Sequence, residues 1–216
     1  MRTTLLTLVA IGAVVAAIVA STTTAAAATA PRPDAHDRAL ASQLAEKAVT
    51  FQTLASKTSG GNELQKTLEG CAFIKKNPKQ AFAAVFALVP VLLIDVVNQY
   101  KPQLTDLRDT LAKMRPHALV FRQWAAAEAQ SFSLMLRFDN HGKKIDLCKA
   151  ATVLLDKKST TGDVRNVLGI DPALIATLFQ SGSTKASATL KRLNPQMRSF
   201  FIAAGLSPKI AKSLTT

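Results

Sequence analysis

Histidine, cysteine, tyrosine and tryptophan are nearly missing from this chain, which has three His, two Cys, one Tyr and one Trp among its 216 residues. Each scarcity closes off a kind of chemistry. His36, His117 and His141 stand apart, none three or four residues from another ligand. A structural zinc site wants four ligands at close spacing, so no metal is expected. Cys71 and Cys148 form no C-x-x-C pair, which argues against a redox or zinc motif and favours one disulfide. Aromatics that could stack on bases are too few for a single-strand binder, and nucleic acid is disfavoured as a partner.

Carboxylates are also scarce, with 14 Asp and Glu against 27 Lys and Arg. Glycoside hydrolysis needs two carboxyl groups facing each other across a cleft. The strongest candidate acid is Glu128, in Trp124-Ala-Ala-Ala-Glu128; a glutamate beside a core stripe has the same surroundings. The G-x-S-x-G elbow, the phosphate-cradling G-x-x-x-x-G-K-[ST] loop and the dinucleotide G-x-G-x-x-G are all missing from the sequence,. The sequence therefore reads as non-enzymatic, with no cofactor.

Glycine is sparse and no stretch alternates β-branched with polar residues, so the expected fold class is all-α. Residues 1–30 carry the three parts of a secretory signal. Arg2 is the positive start, Leu5 to Ala20 is uncharged and apolar, and Ala25-Ala-Ala-Ala-Thr-Ala30 offers cleavage sites between 25 and 30. The alternative is an uncleaved membrane anchor, since a span needs about 20 mostly apolar residues. Residues 31–216 then form one helical domain. Export leads to an oxidising compartment, in which a Cys71–Cys148 disulfide is stable.

Periodicity predicts about seven to nine helices. The first spans 35–57 with Leu40, Leu44, Ala48, Phe51 and Ala55 on one face. The second, 62–76, turns Cys71 inward. A central helix, 78–100, has no charge from Ala81 to Ile94 and is kinked or divided by Pro90, with a further bend at Tyr100-Lys101-Pro102,. Leu104, Leu107, Leu111 and Met114 continue an apolar stripe to Arg115-Pro116. A helix over 117–138 and a turn at Asp139–Gly142 follow. The helix 144–157 then presents Ile145, Cys148, Thr152 and Leu155 inward. Gly169-Ile-Asp-Pro172 and Gly205-Leu-Ser-Pro208 each close one helix and cap the next, and Asn194-Pro195 is expected to start another,.

The remaining signal is charge. The net charge is +13; residues 34–70 are slightly acidic, and the excess lies in the middle and C-terminal parts. Lys143, Lys144, Lys149, Lys157 and Lys158 crowd one segment, and Lys191 and Arg192 lie further on. These seven are the candidate contacts for an anionic surface or polymer: membrane headgroups, acidic glycans or another protein. Two other functions stay open: a carrier whose apolar or lipid ligand sits along 81–97, and a hydrolase of extracellular polymers using Glu128.

Overall fold

The computed structural model describes residues 32–55, 70–76, 83–84, 87–179 and 185–215. The proposed signal, residues 1–30, lies outside them, as do most of the expected helix 62–76 and part of the apolar run from Ala81. The described residues form nine helices and no strand. These are α1 (Ala35–Ala55), α2 (Ala72–Lys76), α3 (Val89–Lys113), α4 (Leu119–Leu136), α5 (Leu147–Leu155), α6 (Thr161–Leu168), α7 (Pro172–Phe179), α8 (Lys185–Ala203) and α9 (Pro208–Leu214).

Proline divides the central apolar segment as expected. Pro90 occupies the first turn of α3, where its missing N–H has no helical partner to lose. The same helix then passes through Pro102, and the backbone yields at Tyr100, whose φ of −119° and ψ of 19° leave the helical region. Pro102 has no N–H for the carbonyl one turn back, and its ring crowds that carbonyl, so the kink falls just before it.

The kink lies between two hydrophobic cores. On its N-terminal side, Leu88, Leu93, Ile94 and Val97 pack with Cys71, Phe138, Ala150, Leu168 and Leu174. On its C-terminal side, Leu107 and Leu111 pack with Leu44, Phe121, Trp124, Met197, Phe200 and Phe201. Leu104 belongs to the first core, Leu107 to the second, and Phe132 of α4 touches both. In the second core the rings of Phe121, Trp124, Phe200 and Phe201 meet at tilted or edge-on angles, with centroids 5.3–6.3 Å apart. Such geometry sets positive ring edges against negative ring faces.

The disulfide joins Cys71 to Cys148, with Cα atoms 5.5 Å apart. It ties the segment before α2 to α5, whose face differs from the expected one. Ala150 and Ala151 are buried, whereas Ile145, Cys148 and Leu155 are half-buried and Thr152 is exposed. Small alanines let this short helix approach the core backbone-first, and larger residues flank the contact. The Asp146 side chain caps α5 by accepting from the Lys149 N–H.

One expected boundary is overturned. Asn194-Pro195 does not start a helix; α8 runs through it from Lys185 to Ala203. An interior proline costs about 3 kcal/mol. Continuing the helix buries Leu193, Met197, Phe200 and Phe201 on one stripe, at roughly 1.5–3 kcal/mol for each large side chain. The Asn194 side chain does not cap a helix but accepts a hydrogen bond from Trp124 Nε1 at 2.9 Å. By contrast, Gly169 and Gly205 take the positive φ expected of helix-closing glycines, and the Ser207 side chain caps α9.

Candidate anion-binding surface

The seven basic residues singled out from sequence do not form one patch around one core. Lys143 and Lys144 precede α5 and Lys157 and Lys158 follow it, a helix about 13 Å long. Lys191 and Arg192 lie on α8, which builds the other core. Lys144, Lys149, Lys157, Lys158, Lys191 and Arg192 are exposed and make no ion pair with any described residue. Lys143 differs, because its ammonium donates to the Asn166 carbonyl in the last turn of α6. A cation there satisfies an otherwise open carbonyl at the negative end of the helix.

A second basic feature escaped the sequence reading. The C-terminal half of α3 and most of α4 are joined by a short turn and lie side by side. Between them runs a groove of about 650 Å³. Arg108, Arg115 and Arg122 line it, together with Gln130 and Ser133, over a floor that includes Leu111, Met114, Ala126 and Ala129. Among the described residues no acidic side chain lines the groove.

The three guanidinium groups are held in different ways. Arg115 Nη1 donates to the carbonyls of Ala112 and Met114, at 3.0 and 2.9 Å. Arg122 donates through Nε and Nη2 to the Pro116 carbonyl, at 3.2 and 2.9 Å. These carbonyls close the end of α3 and the turn into α4, so the arginines also brace the hairpin. Backbone carbonyls orient a guanidinium without cancelling its charge. Arg108 is paired with its neighbour Asp109 at 2.7 Å, a partly exposed pair that attracts weakly in water. The available signal was the regular spacing of seven residues from Arg108 to Arg115 to Arg122. It carries no meaning until α3 and α4 are known to fold back on each other.

At the head of this hairpin, α1 supplies a polar cluster. Asp34 Oδ1 accepts the Asp37 N–H at 2.8 Å and starts α1, and Asp34 Oδ2 lies 2.7 Å from His117 Nδ1. These contacts lower the Asp34 pKa, the Asp37 backbone bond most, then the His117 hydrogen bond. The His36 ring stacks on His117 with centroids 4.4 Å apart, and its Nε2 lies 3.1 Å from the Arg115 carbonyl. Among the described residues no group of His, Cys, Asp or Glu is arranged to hold a metal ion.

Glu128 lies on α4 one turn beyond Trp124. It is half-buried, and that burial pushes its pKa up, to about 8. Burial alone accounts for the rise, with no charged group contributing. A raised pKa is what a general acid needs, but no second carboxylate acts on Glu128. The stretch 87–97, most of the proposed ligand segment 81–97, is packed: Leu88, Val91, Leu93, Ile94 and Val97 are 0–5% exposed. No family model, curated protein or solved structure matches the chain.

Proposed function

We propose that this is an extracytoplasmic, non-enzymatic interaction protein that attaches to anionic partners through its basic surface. The single observation that carries the reading is the arginine groove. Arg115 and Arg122 are oriented by neutral carbonyls, Arg108 stands beside them, and no carboxylate of the described residues lines the space between. Arg115 and Arg122, oriented cations without a carboxylate partner among the described residues, attract anions at long range and bind them with little ordering cost, while Arg108 shares its charge with Asp109. The exposed lysines flanking α5 widen the positive field. The Cys71–Cys148 disulfide supports an oxidising compartment,. Among the described residues no helix is long and apolar enough to cross a membrane.

The test is binding of oxidised protein to three polyanions at low and high salt: phosphatidylglycerol vesicles, a sulfated polysaccharide and poly-glutamate. Neutral vesicles and dextran serve as controls. The reading predicts binding to at least one polyanion, weakened by salt, and none to the controls. Equal binding to charged and neutral materials, or none to any, would overturn it.

A further inference from the structure

Resting on that reading, we propose that the α3–α4 groove is the docking site for an acidic peptide segment of a partner protein. Carboxylates of the peptide pair with the arginines, and an apolar side chain between them rests on the exposed Ala112 and Ala126. Charge complementarity selects an anion, since three guanidinium groups and no carboxylate of the described residues line the groove. The planar fork of arginine matches a carboxylate through two parallel hydrogen bonds. The half-engaged guanidinium groups retain donors for this: Arg115 uses only Nη1 on carbonyls, Arg122 only Nε and Nη2, and Arg108 keeps Nη1 beside its pair with Asp109.

The floor decides which anion. The exposed Ala112 and Ala126, over the buried Leu111, Met114 and Ala129, offer a sulfated glycan nothing to bind, because it carries no apolar side chains. A bilayer presents a plane of headgroups, which meets a convex surface better than a furrow between helices. A peptide supplies both carboxylates and apolar side chains. Spacing agrees: seven helical residues from Arg108 to Arg115 span about 10 Å, and three residues of extended chain cover about the same length. The fitting segment therefore has carboxylates three residues apart with an apolar residue between.

The experiment uses fluorescence anisotropy with the full oxidised protein. The probe is a labelled twelve-residue peptide with glutamates three residues apart around a leucine. Its controls replace leucine by serine, or glutamates by glutamines. The expected result is salt-sensitive binding of the first peptide only. Arg108→Gln removes a charge that does not brace the hairpin turn, and Ala126→Leu fills the exposed floor with every charge kept. Each should weaken binding at least roughly tenfold while leaving the melting temperature unchanged. Equal binding of the serine peptide, or full binding by both variants, overturns the docking site. The combined Lys144→Gln, Lys157→Gln and Lys158→Gln variant separates the two readings. Loss there alone, or binding of vesicles or polysaccharide but not peptide, sinks the groove and leaves the anionic-surface reading intact. Failure of every polyanion sinks both.

Discussion

Asp37, in the first turn of α1, holds the start of α4 in place of a local cap. Its Oδ1 accepts the N–H of His117 at 2.8 Å and its Oδ2 the N–H of Ala118 at 3.0 Å. The residue is 2% exposed, so water offers these donors little substitute. α4 has no side-chain cap of its own, its N-cap position being Ala118. A carboxylate at a helix start satisfies open donors and meets the positive end of the dipole.

Asp37→Ala should therefore cost about 2–3 kcal/mol, more than a surface cap, because two partly buried donors lose their acceptor at once,. Asp37→Asn keeps one acceptor oxygen and should lose less. Thermal unfolding followed by circular dichroism checks the order: wild type, then Asn, then Ala. An alanine variant that melts with the wild type would show that water serves α4 equally well.

Reducing Cys71–Cys148 should lower stability substantially. The bridge closes a loop with a sequence separation of 77, and the chain-entropy account assigns such a loop an upper figure of about 4.5 kcal/mol. Melting with and without a thiol reductant measures it, and Cys71→Ser with Cys148→Ser repeats it without reductant. Because the bridge ties α5 to the first core, hydrogen exchange should rise there before it rises at Phe200 and Phe201. Uniform loosening of both cores would contradict that division.

Glu128 predicts an alkaline weakness. Its pKa is raised by burial from 4.5 to about 8 in the folded protein. Between those values the unfolded chain gives up the proton and the folded chain keeps it. The unfolded state thus binds fewer protons, and stability falls as pH rises through that window. The contribution is complete below pH 4.5 and lost above about pH 8. Every tenfold difference in proton affinity between the two states corresponds to about 1.4 kcal/mol, so the fall amounts to several kcal/mol at most. Glu128→Gln should flatten this part of the stability profile and melt higher than wild type at pH 8. A slope that survives the substitution must come from other groups.

Asn140 and Gly169 form a joint whose loss should loosen α6. Asn140 is 3% exposed. Its Nδ2 donates to the Lys143 and Leu168 carbonyls at 2.9 and 3.0 Å, and its Oδ1 accepts from Asn98 at 2.7 Å. Gly169 closes α6 at a φ of +75°, and an added Cβ would meet Lys143 Cδ at 3.0 Å and Asn140 Cβ at 3.2 Å. Gly169→Ala should cost about 1–3 kcal/mol through left-handed backbone and crowding together. Asn140→Ala, leaving several buried polar groups without partners, should cost about 2–4 kcal/mol. Chemical denaturation measures both. If Gly205→Ala, which meets nothing within 4 Å, cost as much as Gly169→Ala, crowding would have no part in the effect.

Features set within one helical turn were legible in advance. The period of Leu104, Leu107, Leu111 and Met114 places all four in the cores. Gly169 and Ser207 perform the helix-ending and helix-starting roles their side chains suit. The even cysteine count without a C-x-x-C pair anticipates the bridge, although the helical period misplaces Cys148, which is only half-buried. Such signals depend on neighbours three or four residues away, and those neighbours are printed in the sequence itself.

Other features depend on partners distant in the chain. Nothing near Pro195 announces that α8 continues, because the burial that offsets its lost hydrogen bond comes from α4. Asp37 reads as an ordinary first-turn acid until His117 is folded against it, 80 residues on. Glu128 is one glutamate among several until packing desolvates its carboxyl. By itself the sequence determined a helical chain with one disulfide and a large positive charge, through local periodicity, capping chemistry and residue counts. Tertiary structure alone decided where that charge gathers: folding α3 back on α4 sets Arg108, Arg115 and Arg122 around one groove and leaves the lysines flanking α5 apart from Lys191 and Arg192. Helical spacing fixes which face a residue takes, but only packing between helices fixes what that face meets.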